Sequence, residues 1–157
     1  MPAALQRKFS DACDDEGALA CCVAQKAARE ALARLIADAD RAQFADPRFR
    51  RELASWIHPR RRDDGMPAYG TAVGIATMRD DREAWLAAGQ ALERMLLVAA
   101  SAGLTASYLN QAIEVDALRE RLRTLLRTDA FPQLLLRVGR GPRVRHAPRR
   151  PLADSVS

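Results

Sequence analysis

From Ala84 to Leu104 the chain is almost unbroken in apolar or small residues, and Gln90, Glu93 and Arg94 are the only polar interruptions of weight before Ser101. Trp85, Leu86, Gly89, Leu92, Leu96 and Ala99 recur at helical spacing, while Met95, Leu97 and Val98 widen the stripe around most of the cylinder. A helix apolar nearly all round belongs either in the middle of a protein or across a membrane. A span needs ~20 predominantly apolar residues with few or no charges. Glu93 and Arg94 would stand in mid-bilayer, where each ionised group costs several kcal/mol. The stretch is therefore read as a buried central helix, and no membrane partner is expected. Gly103 supplies the left-handed residue common just past a helix end. Leu104 to Leu109 reads as a short strand, with Asn110-Gln111 at its end. Ligand contacts gather at strand ends in helix-flanked sheets, although spacing alone favours a plain turn at Asn110.

The 157 residues suit one domain, and 48% hydrophobic with 29% charged residues is ordinary for a globular chain. Ala, Leu and Arg are abundant, so helices should dominate. The net charge is +5. Arg137 to Arg150 holds six arginines, one histidine and no acid, a run able to meet a phosphate, nucleic acid or anionic lipid. No aromatic residues interleave with it, which argues against single-stranded nucleic acid, and no nucleic-acid partner is expected. Cys13, Cys21 and Cys22 form no CxxC pair, and His58 and His146 lie far apart, so no zinc site is expected. Three cysteines without a secretory signal fit reduced thiols and a cytoplasmic location. Cys21 and Cys22 read as small buried residues.

In chain order, residues 1 to 17 are weakly patterned, with a turn at Asp14–Gly17. Ala18 to Val23 is a short apolar run compatible with a buried strand, too short to be told from helix by periodicity. Gln25 to Phe44 is clearly helical, with Ala28, Leu32, Leu35, Ile36 and Ala39 on one face. Asp46-Pro47 is a helix-start signal, opening a second helix to about Ile57 that buries Phe49, Leu53 and Trp56. Residues 57–74 read as a mobile loop, within which Val73 begins a short strand to Thr77. Asp80-Asp81 leads into the central helix with acids at its positive end. A further helix starts near Val115 or Asp116, with Leu118, Leu122, Leu125 and Leu126 as its apolar stripe and Arg119 to Arg121 and Arg123 as its wet side. Gln133 to Val138 is the best candidate for a central strand. Residues 139–157 form a basic tail. The order gives an α+β or α/β domain over residues 1–157, predominantly helical.

Four segments together carry a resemblance. They are Phe44 to Trp56 (FADPRFRRELASW), Ala88 to Leu97 (AGQALERMLL), Ala102 to Gln111 (AGLTASYLNQ), and Pro132 to Gly139 (PQLLLRVG) continuing to Pro148-Arg149-Arg150-Pro151. In this order they resemble the C-terminal half of nitroreductase-family proteins of the Acg type. The resemblance implies an α+β nitroreductase-like fold, helix-rich with a small central sheet, and half of the usual two-unit assembly. It implies FMN at the interface between units, with electrons passing from NAD(P)H to nitroaromatic or quinone-like acceptors. Asn110 and Gln111 match the position after the strand where the family approaches the flavin ring. Arg150, with Arg149 beside it, matches a basic tail residue that contacts the FMN phosphate, a task suited to a planar guanidinium.

The family's Pro-Ser-x-x-Asn-x-Gln-Pro-Trp-like segment and its Arg-Ser-x-Arg motif are both missing; Arg7-Lys8-Phe9-Ser10 is the nearest stretch and does not match. One wall of a two-unit flavin site is therefore expected from elsewhere, from a homodimer or a partner chain, and the chain alone is expected to bind FMN weakly or not at all. Alternatives are a flavin-holding protein without turnover, a degenerate fragment of the family, and, last, a nucleic-acid binder. No general acid, base or nucleophile stands out, and flavin chemistry scarcely needs one.

Overall fold

The computed structural model describes residues 1–56 and 71–141. The elements run α1 (Ala3–Asp14), β1 (Leu19–Val23), α2 (Lys26–Ala45), α3 (Pro47–Trp56), β2 (Thr71–Thr77), α4 (Arg82–Ser101), β3 (Thr105–Tyr108), α5 (Gln111–Glu114), α6 (Asp116–Leu126) and β4 (Phe131–Gly139). The four strands form one antiparallel sheet in the order β1-β2-β4-β3. Helices α1 and α4 cover one face, and α2, α5 and α6 cover the other.

This layering explains the strand compositions. All seven residues of β2 are buried, because both its edges are paired and both its faces are covered. Val73 and Ile75 join the cluster under α1 and α4, with Phe9, Met95, Leu136 and Val138. Ala72 faces the other way, with Leu32, Leu35, Leu122 and Leu135. Gly74 permits a close approach: a Cβ there would lie 2.8 Å from Leu126 Cδ1. β4, read as central, is indeed interior, and it starts earlier than the apolar run because Pro132 is tolerated at a bulge. The register passes from Ile75 opposite Leu134 to Ala76 opposite Pro132. Gln133 is the residue left over, and a bulge of this kind re-aims the side chain it releases.

Several expectations are corrected. β2 begins at Thr71, so residues 71–74, read as the end of a loop, are buried strand. Residues 1 to 17 hold a real helix, α1, whose Phe9, Ala12 and Cys13 are buried against α4 and the sheet; with no capping side chain, tertiary packing rather than a local signal defines it. The central helix is not buried all round. Its inner stripe is Ala84, Ala88, Ala91, Met95 and Ala99, small residues that let the backbone come close to the sheet. Trp85, Leu86 and Leu97 are 53%, 72% and 62% exposed. Its ends match the reading: Asp81 Oδ1 accepts from the Ala84 N–H at 2.9 Å. Gly103 has φ +67°, and the Leu104 N–H reaches the Ala99 carbonyl at 2.9 Å, as in a Schellman cap. Phe49 and Leu53 of α3 are only half-buried, since α3 packs chiefly on α2, with Phe44 and Phe49 edge to face at 5.8 Å. Ile57 lies outside the described residues.

Candidate functional site

β3 has four residues and β4 nine, and β3 pairs only with Leu136 to Gly139. Among the described residues, the outer edge of β4 from Phe131 to Leu134 is therefore free of a strand. The chain leaves the sheet in two steps. The Leu109 N–H donates to the Leu135 carbonyl at 2.8 Å, and Asn110 Oδ1 then accepts from the Leu135 N–H at 2.9 Å. The amide of Asn110 thus imitates one more ladder bond before α5 turns away. Beside this exit, the open edge, the first half of α4 and Ile113 of α5 enclose a cleft of about 460 Å³. Trp85, Ala88, Gly89, Leu92, Ile113 and Leu134 make its apolar wall, and Asp80, Arg119 and Gln133 its polar side.

That polar side is one bonded network. Arg119 donates to both Asp80 oxygens, at 2.7 and 3.1 Å, from Nε to the Pro132 carbonyl at 2.9 Å, and to Gln133 Oε1 at 3.1 Å. Its guanidinium therefore caps an edge carbonyl that no strand among the described residues reaches. Gln133 Nε2, freed by the bulge, donates to Thr77 Oγ1 at 2.9 Å and to Asp80 Oδ1 at 3.1 Å. Trp85 Nε1 donates to Asp80 Oδ1 at 2.8 Å. The hydrogen bond from Arg119, followed by those from Trp85 and Gln133, holds the Asp80 carboxyl well below the usual carboxylate range. A carboxylate so held is a fixed anion, not a proton carrier. Its work is to tie the β2–α4 connection, α6 and β4 together at the mouth of the cleft.

Of the residues singled out from sequence, Asn110 is committed to the ladder, as the turn reading would have it, and Gln111 opens α5. Gln111 Oε1 is buried without a hydrogen-bond partner among the described residues, and an unmet acceptor of this kind calls for a donor. Arg149 and Arg150 lie outside the described residues, as do His58, His146 and most of the 57–74 loop. Sequence reasoning missed Asp80, Arg119 and Gln133 as a unit, and placed Arg119 on the wet side of α6, whereas its side chain is only 23% exposed. Pro132, one residue before the strand expected from Gln133, was the available signal, since a proline taken into a strand demands a bulge or an open edge.

The thiols are unsuited to nucleophilic work. Burial, with the Asp14 charge nearby, pushes Cys13 up to about 12, and burial also raises Cys21 and Cys22. Thiolate, the reactive form, is therefore scarce at neutral pH. Among the described residues no group of His, Cys, Asp and Glu could hold a metal ion, and no helix is long and apolar enough to cross a membrane.

The profile of the Nitroreductase family matches residues 14–140. This chain belongs to the nitroreductase family. Among curated relatives, Mycobacterium tuberculosis (strain H37Rv) Rv3131, which carries the name of an NAD(P)H nitroreductase, is 35% identical over 81 residues, 51% of this chain and 22% of the relative. The acg protein of the same organism, similarly named, is 33% identical over 84 residues, 51% of this chain and 25% of the relative. The match thus spans a quarter or less of these relatives' length. Among solved structures, a nitroreductase with bound FMN from Desulfitobacterium hafniense aligns at TM-score 0.66 and 15% identity, covering 100% of this chain and 87% of that one. Its counterpart from Bacteroides fragilis, also with bound FMN, aligns at 0.64 and 19%, covering 97% and 86%. The NADPH:FMN oxidoreductase of Vibrio harveyi, complexed with NAD+, aligns at 0.59 and 13%, covering 100% and 68%. At these identities the likeness shows the nitroreductase-like α+β fold of this family member, a small antiparallel sheet between helical layers.

Proposed function

We propose that this nitroreductase-family chain is one unit of an FMN-dependent oxidoreductase. It would carry electrons from NAD(P)H to small nitroaromatic or quinone-like acceptors, and a second unit would complete its flavin site. The carrying observation is the cleft beside the end of β3. Its walls are Trp85, Leu92, Ile113 and Leu134, and the adjoining α5 opens with the buried, partnerless acceptor of Gln111. An apolar slot with a few convergent polar groups is what a flat heteroaromatic ligand requires. The apolar wall offers contact to the ring end of FMN; Gln111 lies beside the cleft rather than in its lining, and its buried oxygen lacks a donor among the described residues. FMN, when bound, supplies the hydride chemistry, and the chain's part is to bind, orient and exclude water. The resemblance assigns its phosphate to Arg149 and Arg150, and among the described residues the cleft's own cation, Arg119, is held by Asp80.

The second unit is argued from α4. Trp85, Leu86 and Leu97 are large apolar side chains left in water, on the helix that also walls the cleft. A second copy laid on this face would bury them and stand over the cleft at once, as an isologous dimer does. Residues 1–157 act as a single domain in this reading, and the protein works in the cytoplasm. Flavin holding without turnover is the competing reading, favoured by a polar network whose acid and base are both immobilised.

Titration of the full chain with FMN by fluorescence, over a range of protein concentrations with mass measured alongside, tests the proposal. FMN affinity is expected to rise as the chain self-associates, and Leu97→Asp is expected to weaken both. Tight stoichiometric binding by a monomer would overturn the need for a second unit. No FMN binding by the associated chain would overturn the flavin reading. NADPH oxidation with a nitroaromatic acceptor separates turnover from holding.

A further inference from the structure

The face of the molecule opposite α4 carries a second feature that the flavin reading does not use. Helices α2 and α6 cross over a groove of about 380 Å³. Its floor is Ala31, Leu35, Ala37 and Leu125, and its rim is Arg34, Arg41, Arg121 and Asp38. Three arginines stand against one aspartate, a formal balance of +2. Asp38 is shared: Arg41 holds Oδ1 from one turn along α2. Arg121 meets Oδ2 from across the groove with both terminal nitrogens at 3.5 Å, the loose limit of a hydrogen bond. Arg34 has no hydrogen-bond or ion-pair partner among the described residues. Of the other acids on these two helices, Glu30 pairs with Lys26 and Glu120 with Arg123, and Asp40 and Asp116 do not line the groove.

The geometry points to a binding site for a small phosphorylated anion, of the pyrophosphate or nucleoside-polyphosphate class. One aspartate orients two guanidiniums without satisfying their donors, and the third is free, so charge-assisted contacts remain for a ligand to take. Arg34 and Arg41 are seven residues apart on one helix, about 10 Å along its axis, with Arg121 between them from the facing helix. That spacing suits a ligand with more than one negative group better than a lone phosphate. The small residues Ala31 and Ala37 leave the room, and Leu35 and Leu125 give an apolar floor. This inference does not rest on the flavin reading, since no residue lining the groove also lines the cleft.

The test uses the full chain and inorganic pyrophosphate at constant ionic strength, read by calorimetry and by amide chemical-shift mapping. Saturable binding is expected, with the largest shifts in α2 and α6. Arg34→Gln, an exposed position whose change leaves the core untouched, is expected to weaken it about tenfold, the scale of one lost charge-assisted contact. Arg149→Gln with Arg150→Gln is expected to leave it unchanged. Binding no stronger than that of matched sulfate, or binding lost with the tail variant and kept in Arg34→Gln, overturns the site. A short DNA duplex that binds more tightly than pyrophosphate, with the same dependence on Arg34 and Arg121, overturns the small-ligand assignment.

Discussion

Helices α2 and α4 have the same length, 20 residues each, and cover opposite faces of one sheet. They are held in place by different means. α4 is closed at both ends by local chemistry, Asp81 at its start and the left-handed Gly103 past its end. α2 has no side-chain cap at Gln25 and runs through Asp46 into α3, so packing of Leu32, Leu35 and Ala39 must define it. Their outer faces differ as well: α2 shows arginines to water, and α4 shows Trp85, Leu86 and Leu97. The contrast teaches that amphipathicity reports how many neighbours a helix has. α2 has one covered face, whereas α4 has one covered face and a second waiting for a partner.

The comparison can be broken first in the core. Met95→Ala on α4 and Leu32→Ala on α2 remove side chains at 0% and 2% exposure, and each is expected to cost ~2–5 kcal/mol in urea unfolding. A loss under about 1 kcal/mol at Leu32 alone would mean that α2 is not packed as described. At the helix starts, Asp81→Ala is expected to cost ~1 kcal/mol, while Gln25→Ser on the uncapped α2 should gain a few tenths to ~1 kcal/mol. Equal responses at the two sites would erase the distinction. At the C-terminal end of α4, Gly103→Ala is expected to cost ~1 kcal/mol because of the positive φ, whereas Gly89→Ala, with nothing within 4 Å of the new Cβ, should be neutral or stabilising by up to ~1 kcal/mol.

The smallest effect concerns pH, next to the cap of α4. Asp80 is depressed in the folded state, so its contribution is fully present above the unfolded carboxylate value near 4 and is lost as pH falls below it. Wild-type denaturation midpoints should therefore fall more steeply than those of Asp80→Asn on acidification below about pH 4. Parallel curves would show that the Asp80–Arg119 pair contributes nothing measurable.

Most of the frame was legible in the chain. The helix from Arg82, its aspartate start and glycine stop, the strands around Ala18 and Gln133, and the Asp46-Pro47 start all follow from local signals, because caps, prolines and periodicity act within a few residues. The helix at Ala3–Asp14 was not legible, since it lacks a cap and exists by packing Phe9 and Cys13 against α4. Nor was the inner stripe of α4: sequence offers large and small apolar residues alike, and only the distance to the sheet selects Ala84, Ala88 and Ala91 for the inside. The network of Thr77, Asp80, Trp85, Arg119 and Gln133 joins residues up to 56 positions apart. Only the bulge at Pro132 and the short β3 bring them to one edge. Composition and periodicity, which act locally, determined the helices and strands of this protein; which sides they turn to one another, and so where a ligand can enter, was decided by long-range packing.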